Sequence, residues 1–223
     1  MSWVARTLKS SIGAKAVMAI TGLMLVGFVI AHMAGNLLMF AGREAFNAYA
    51  EALQSLGALL WAARLGLLGA VALHIASAVR LNRMNNEARP VKYRVISQSV
   101  SSYATRTMKY SGYIMFAFIV YHLLHFTIGV TDASAYEYKQ QGDVYSMVVV
   151  GFQQPIVSIS YVVAMVLLSM HLSHGVSSVF QTLGFNHPKY NKLFSKVGPA
   201  LGAFVSLGFI SIPAGVLTGI VAL

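Results

Sequence analysis

Four histidines, His32, His74, His122 and His171, each stand inside a different long apolar stretch of the chain. An imidazole in hydrocarbon is costly, and an ionisable residue kept there marks a functional position by default. One histidine on each of four neighbouring helices is what two bis-histidine haems require, two helices holding one iron and two the other. The chemistry these residues point to is electron carriage within a membrane.

Composition supports that setting. Of 223 residues, 57% are hydrophobic and only 10% charged, against roughly 25% charged in an average soluble domain. So few charges could not cover the surface of a water-soluble fold of this size. Cysteine is absent, which excludes disulfides, thiolate ligation of an iron–sulfur cluster and a covalent c-type haem. Any haem held here is non-covalent and bound by histidine, with methionine the poorer choice. The eleven methionines are expected as lipid-facing or core side chains, with none assigned to iron.

Positioning the histidines takes long helices. A helix needs about 20 mostly apolar residues to cross the hydrocarbon core, and five segments qualify: 16–40, 59–79, 110–130, 154–182 and 197–221. Arg64 near the start of the second can snorkel to the interface. Pro155 falls in the first turn of the fourth, where its missing N–H costs little, and Pro213 is expected to kink or loosen the fifth. The fold expected is an all-α integral membrane protein of five transmembrane helices, the first four forming a haem-binding bundle, in a single domain covering 1–223. The first segment is too long for a signal-peptide core and lacks a small-residue cleavage site, so it is expected to remain as a span. Residues 81–108 read as a polar loop or surface helix and 131–153 as a loop on the opposite side.

Thirteen of the 16 lysines and arginines fall in residues 1–15, 80–109 and 183–196, and five of the six acids fall on the other side. By the positive-inside rule this places the N-terminus in the cytoplasm and the C-terminus outside. The net charge of +10 then reports topology and contact with anionic lipid or a partner, not nucleic acid.

Alternating topology converts sequence position into depth at 1.5 Å per residue. His32 and His122 come out about 25 and 20 Å from the cytoplasmic edge, His74 and His171 about 9 and 15 Å. Depth therefore pairs His32 with His122 and His74 with His171, at levels about 10 Å apart. His125 follows His122 by three positions and His174 follows His171 by three, each on its neighbour's helical face, and spacing alone does not choose within either doublet. Gly27, Gly35, Gly66, Gly69, Ala76, Ser77, Gly112 and Gly175 would let a flat macrocycle approach the backbone, though membrane helices also use small residues simply to pack. His187, beside Pro188 outside any span, reads as a surface residue.

The runs AHMAGNLLMF around His32, NAYAEAL after it, YHLLHF around His122 and HLSHGVSSVF around His171 resemble the cytochrome b subunit of succinate:quinone oxidoreductases, in its five-helix, di-haem, single-anchor form. The resemblance spans essentially the whole chain. It implies two haems b, ligated by His74 and His171 near the cytoplasm and by His32 and His122 near the outer face, and it prefers His122 and His171 within their doublets. It implies a flavoprotein and an iron–sulfur subunit on the cytoplasmic face, electrons passed to a membrane quinone, with menaquinone favoured, and a bacterial inner membrane. Arg80, Arg106 and Lys109 are candidates to pair with haem propionates. Quinone chemistry moves protons, and among Glu44, Glu51 and Gln54 the choice falls on Glu51 for proton transfer at the quinone. Rival readings are a fumarate reductase anchor of the same family, a di-haem anchor of a formate dehydrogenase or hydrogenase, a histidine-containing transporter, and a plain anchor without haem. Absorbance separates the haem readings from the last two.

Overall fold

The computed structural model describes Ser2, Thr7 and residues 10–88, 103–185 and 187–223. Among them there is no strand, and the order of helices is α1 (Ser11–Asn36), α2 (Arg43–Ser55), α3 (Ala58–Glu87), α4 (Tyr103–His122), α5 (Ala133–Gln140), α6 (Val144–Gln153), α7 (Pro155–Thr182) and α8 (Pro188–Leu217). A 3₁₀ turn, Leu37–Ala41, extends α1, and a π-helical turn, Leu123–Ile128, ends α4. Five of these segments are long and apolar enough to span: Ser11–Ala41, Ala58–Glu87, Thr107–Ile128, Pro155–Thr182 and Pro188–Leu217. With five spanning helices among the described residues, the chain is a multi-pass membrane protein.

Local chemistry sets most of the helix ends. Ser10 Oγ accepts the Gly13 N–H at 3.1 Å to open α1, prolines occupy the first turns of α7 and α8, and His187 Nδ1 accepts the Lys189 N–H at 3.2 Å. Helices outrun their hydrophobic segments, α3 and α8 the furthest. α3 continues past residue 79 to Glu87 and α8 begins at Pro188 rather than 197, because a helix need not stop where the apolar run does once its polar turns reach water. The helix α8 is continuous through Pro213, where the sequence leads one to expect a kink or loosening. Residues 89–102 and the side chain of Arg106 lie outside the described residues.

The fifth span holds the bundle together by close approach. Gly198, Gly202 and Ser206 share one stripe of α8, four residues apart, and meet Ser173, Ser169 and Met165 at the same interval along α7. Ser206 Oγ donates to the Met165 carbonyl at 2.7 Å. A Cβ at Gly202 would stand 2.5 Å from the Ser169 carbonyl oxygen, and one at Gly198 would collide with the carbonyl of Ser173. Small residues let two backbones touch where lipid offers no hydrophobic drive to bring them together. α1 packs on α3, α7 and α8, and α4 packs on α7.

The segment 131–153, expected as a loop, is instead a packed helical cap. The apolar face of α6 buries Tyr145, Met147, Val148, Val149 and Phe152 over one end of the bundle, against Met39, Phe46, Ile212 and Val216. Two aspartates open its helices. Asp132 Oδ1 accepts the Ala135 N–H at 3.1 Å, and Asp143 Oδ1 accepts the Ser146 N–H at 3.1 Å and Asn47 Nδ2 at 2.9 Å. Arg43 closes an ion pair on the other oxygen of Asp143. Burial alone would raise the Asp143 carboxyl, but the hydrogen bonds from Ser146, Asn47 and Arg43 outweigh it and hold the group down at about 2.

A carboxylate whose pKa is depressed on folding stabilises the fold above its unfolded value and loses that contribution as pH falls toward the folded one. Acidification from pH 5 to 2 should therefore loosen the cap of the wild-type protein, with about 2 kcal/mol at stake for Asp143. Asp143→Asn should be less stable at neutral pH and much flatter across that window in detergent-solubilised thermal unfolding. Parallel pH profiles for the two proteins would refute this account.

Candidate functional site

The interior carries the histidines in two facing pairs. The rings of His32 on α1 and His122 at the end of α4 have centroids 5.9 Å apart and planes crossing at 80°. Those of His74 on α3 and His171 on α7 are 6.5 Å apart and cross at 61°. Neither α1 with α4 nor α3 with α7 is a close-packed helix pair among the described residues. The rings thus meet across gaps between helices that other contacts hold in place.

Three landmarks give the separation of the two levels. His74 lies beside Gly22, where an added Cβ would stand 3.3 Å from its Cε1, and His32 is ten residues further along α1. Ser111 Oγ lies 3.2 Å from His171 Nδ1, and His122 is eleven residues further along α4. Tyr161 contacts His122, and His171 is ten residues further along α7. At 1.5 Å per residue each helix gives about 15 Å, a larger step than the 10 Å expected from sequence depth alone.

Hydrogen bonds fix which ring nitrogen His74 and His171 present. His74 Nδ1 lies 3.2 Å from the Met18 carbonyl oxygen. A carbonyl only accepts, so the proton sits on Nδ1 and the lone pair on Nε2. For His171 the deciding partner is Ser111, whose hydroxyl donates to the Met108 carbonyl at 2.9 Å. With its one hydrogen already used, the serine oxygen accepts from His171 Nδ1–H, and Nε2 is again the free donor atom. Metal-ligating histidines almost always have such a partner on the second nitrogen. His32 is held by stacking on Phe28, with ring centroids 5.3 Å apart and an angle of 13°, and by a tilted contact with Phe209 at 5.8 Å.

The doublets separate by position. It is His122, not His125, that faces His32, and His171, not His174, that faces His74. His125 is the more deeply buried of its doublet, at 2% exposure, and its Nδ1 lies 3.0 Å from the Tyr161 hydroxyl. Its place depends on the π turn and on Gly129, which ends that turn at φ +83° with its N–H on the Leu124 carbonyl at 2.9 Å. A side chain at Gly129 would also run into the Tyr136 ring. Lys139 covers the open carbonyls of Phe126 and Thr127 at 3.0 and 3.1 Å. Burial first, and then the nearby Arg64, lower its ammonium pKa. π turns inside helices recur at functional positions.

Other expected residues fall elsewhere. Glu44, Glu51 and Gln54 are exposed on α2, while the buried carboxylates are Asp132 and Asp143. Sequence reasoning passes over both aspartates, although each stands before a short helix with a serine or alanine three residues on, the spacing of an N-cap. It also passes over Tyr161, a phenol within a nominally apolar span. Of the glycines near the histidines, Gly27, Gly66, Gly69 and Gly175 have nothing within 4 Å of an added Cβ. Arg80 and Lys109 lie toward the basic end.

The donor set fits a particular kind of metal group. Among the described residues no cluster of three or more histidine, aspartate, glutamate or cysteine side chains could hold a bare ion, whereas structural and catalytic zinc take three or four protein ligands. Facing pairs instead suit a metal whose remaining positions are filled by a macrocycle. A nitrogen at about 2 Å on each side, and about 1 Å more to each ring centre, would set the two centroids about 6 Å apart. Both pairs meet that spacing. No family model, curated protein or solved structure matches the chain.

Proposed function

We propose that this chain is a di-haem cytochrome b membrane anchor of the succinate:quinone oxidoreductase type, carrying electrons between an iron–sulfur partner and membrane quinone. The observation that carries the proposal is the pair of facing histidine couples at two levels, each spaced for one metal. Haem supplies reversible one-electron chemistry through its iron. His32 and His122 would hold one haem, and His74 and His171 the other. Met18 and Ser111 orient the second couple, and the lipid-embedded helices exclude water from both.

The basic end, with Arg80, Arg83, Lys109, Lys189, Lys192 and Lys196, is the face offered to a flavoprotein and iron–sulfur pair, because this chain has no cysteine to ligate a cluster. The positive-inside rule favours the cytoplasm for that end, in a bacterial inner membrane as the resemblance implies. The capped end then lies outside, where Glu51 is the candidate for proton exchange with menaquinone.

The test is a dithionite-reduced minus oxidised spectrum with haem quantitation on the purified protein. About two haems b per chain are expected. A colourless, fully folded protein expressed with ample haem would overturn the proposal and favour a plain anchor or a transporter. Co-purification with flavin- and cluster-bearing subunits separates this assignment from the anchors of other enzymes.

A further inference from the structure

His125 plays no part in facing a partner histidine, yet it is the most deeply set imidazole of the outer couple's surroundings. Its Nε2 is buried without a hydrogen-bond partner and stands 3.9 Å from Asp132 Oδ2. Asp132 cannot turn away, because it is fixed by Ala135 N–H, Ser134 Oγ at 2.9 Å and Gln154 Nε2 at 3.2 Å. Gly151 lets the imidazole lie close against α6, with 3.3 Å from His125 Nε2 to an added Cβ. Tyr121 stacks on the imidazole with ring centroids 5.6 Å apart and planes at 20°. On α7, the Tyr161 hydroxyl lies between His125 Nδ1 at 3.0 Å and His122 Nδ1 at 3.3 Å. Phe118, Phe126 and Phe152 enclose the phenol, with ring centroids 5.0, 5.7 and 4.9 Å away.

Proton counting gives this row a direction. A neutral imidazole carries one hydrogen, and the negative field of the Asp132 carboxylate favours its residence on His125 Nε2. Nδ1 of His125 then holds a lone pair and accepts the O–H of Tyr161, the donor it faces. The phenol oxygen, its one hydrogen used, accepts from His122 Nδ1–H. That leaves the Nε2 lone pair of His122 to face His32. Ser111 does the same for His171 at the other level with a single hydroxyl.

Resting on the di-haem proposal above, we propose that Asp132, His125 and Tyr161 form a positioning relay that fixes the tautomer of His122 and strengthens it as a ligand, so tuning the outer haem separately from the inner one. Such second-sphere bonds orient a ligand and strengthen its donation to the metal. Stronger donation favours the ferric state, so losing the acceptor should raise the potential.

The experiment is a spectroscopic redox titration of the purified complex, with each haem assigned by the histidine variants described below. Tyr161→Phe keeps the ring and removes the acceptor. The ferric-over-ferrous preference at the outer haem should fall about tenfold, an upward shift of about 59 mV for a one-electron couple, while the inner haem stays put. Ser111→Ala should give the converse, moving only the inner haem. His125→Leu frees the Tyr161 hydrogen to turn toward His122 Nδ1, which forces the His122 proton onto the ligating nitrogen. That variant should lose outer haem, and His125→Gln, whose carbonyl can accept the phenol hydrogen, should restore it. Unchanged potentials in Tyr161→Phe, or equal shifts of both haems, would overturn the relay and leave the di-haem proposal standing. If Tyr161→Phe fails to fold, the Leu and Gln variants at 125 decide, since equal haem content in the two refutes the relay. A wild-type protein without haem would instead defeat the underlying assignment.

Discussion

On the di-haem proposal, replacing His32 or His122 with alanine should remove the same single haem, and replacing His74 or His171 should remove the other. The prediction follows from the two centroid separations of 5.9 and 6.5 Å, which set each imidazole opposite one partner only. A haem held between two histidines would lose its anchor on one helix with either one gone, and haem content should fall from two per chain to roughly one. The double variant His32→Ala/His122→Ala should lose no more than either single one, because both changes act on one site and are not additive. The cross-level double His32→Ala/His171→Ala should lose both haems. His187→Ala, outside the spans, should keep both. Haem quantitation with redox spectra reads all of these directly. If His32→Ala and His74→Ala removed the same haem, the pairing would be wrong even though the protein bound haem.

Gly202→Ala should destabilise the bundle by about 1–3 kcal/mol, the usual cost of overpacking, although alanine gains about 1 kcal/mol over glycine in helix propensity. The sign is decided by what the new methyl group meets. At Gly202 it meets a backbone carbonyl, that of Ser169, at 2.5 Å. A carbonyl within a helix cannot swing aside as a side chain can, so α8 must draw back from α7. The Ser206 hydroxyl would then be pulled from the Met165 carbonyl, leaving a buried donor short of its acceptor. Gly198→Ala should behave alike, against Ser173. Gly66→Ala is the matched control, with nothing within 4 Å of its Cβ, and should leave stability unchanged or slightly raised. Unfolding in detergent micelles measures all three. Equal stability of Gly202→Ala and wild type would refute the close α7–α8 contact.

Both results bear on how the molecule is organised. α8 carries none of the facing histidines, yet it braces α1 and α7, which carry one from each couple. Weakening that brace should therefore loosen both proposed haems together, a pattern distinct from the one-at-a-time losses of the histidine variants.

The amino-acid sequence by itself determined the class of the molecule and its helices. Long apolar runs broken by charge can satisfy their backbone in lipid only as helices, so five spans follow from composition and period. It also separated the four histidines into two levels, because rise per residue is fixed and the spans alternate in direction. The choice within each doublet was different. His122 and His125 differ by less than a turn, and which of them faces α1 depends on the phase of a helix whose last turn is π and whose end is set by Gly129. The same holds for the cap. The run from Val144 to Gln153 is too short to cross a membrane, and only its burial against α2, α8 and the end of α4 shows why it is apolar. Tyr161 and Asp132 meet their histidines only across the fold, and no local pattern carries that information. Rise, period and hydrophobicity are properties of a segment and are legible in it. Helix phase, close approach and the direction of a hydrogen bond belong to pairs of segments, and only the packed structure decides them.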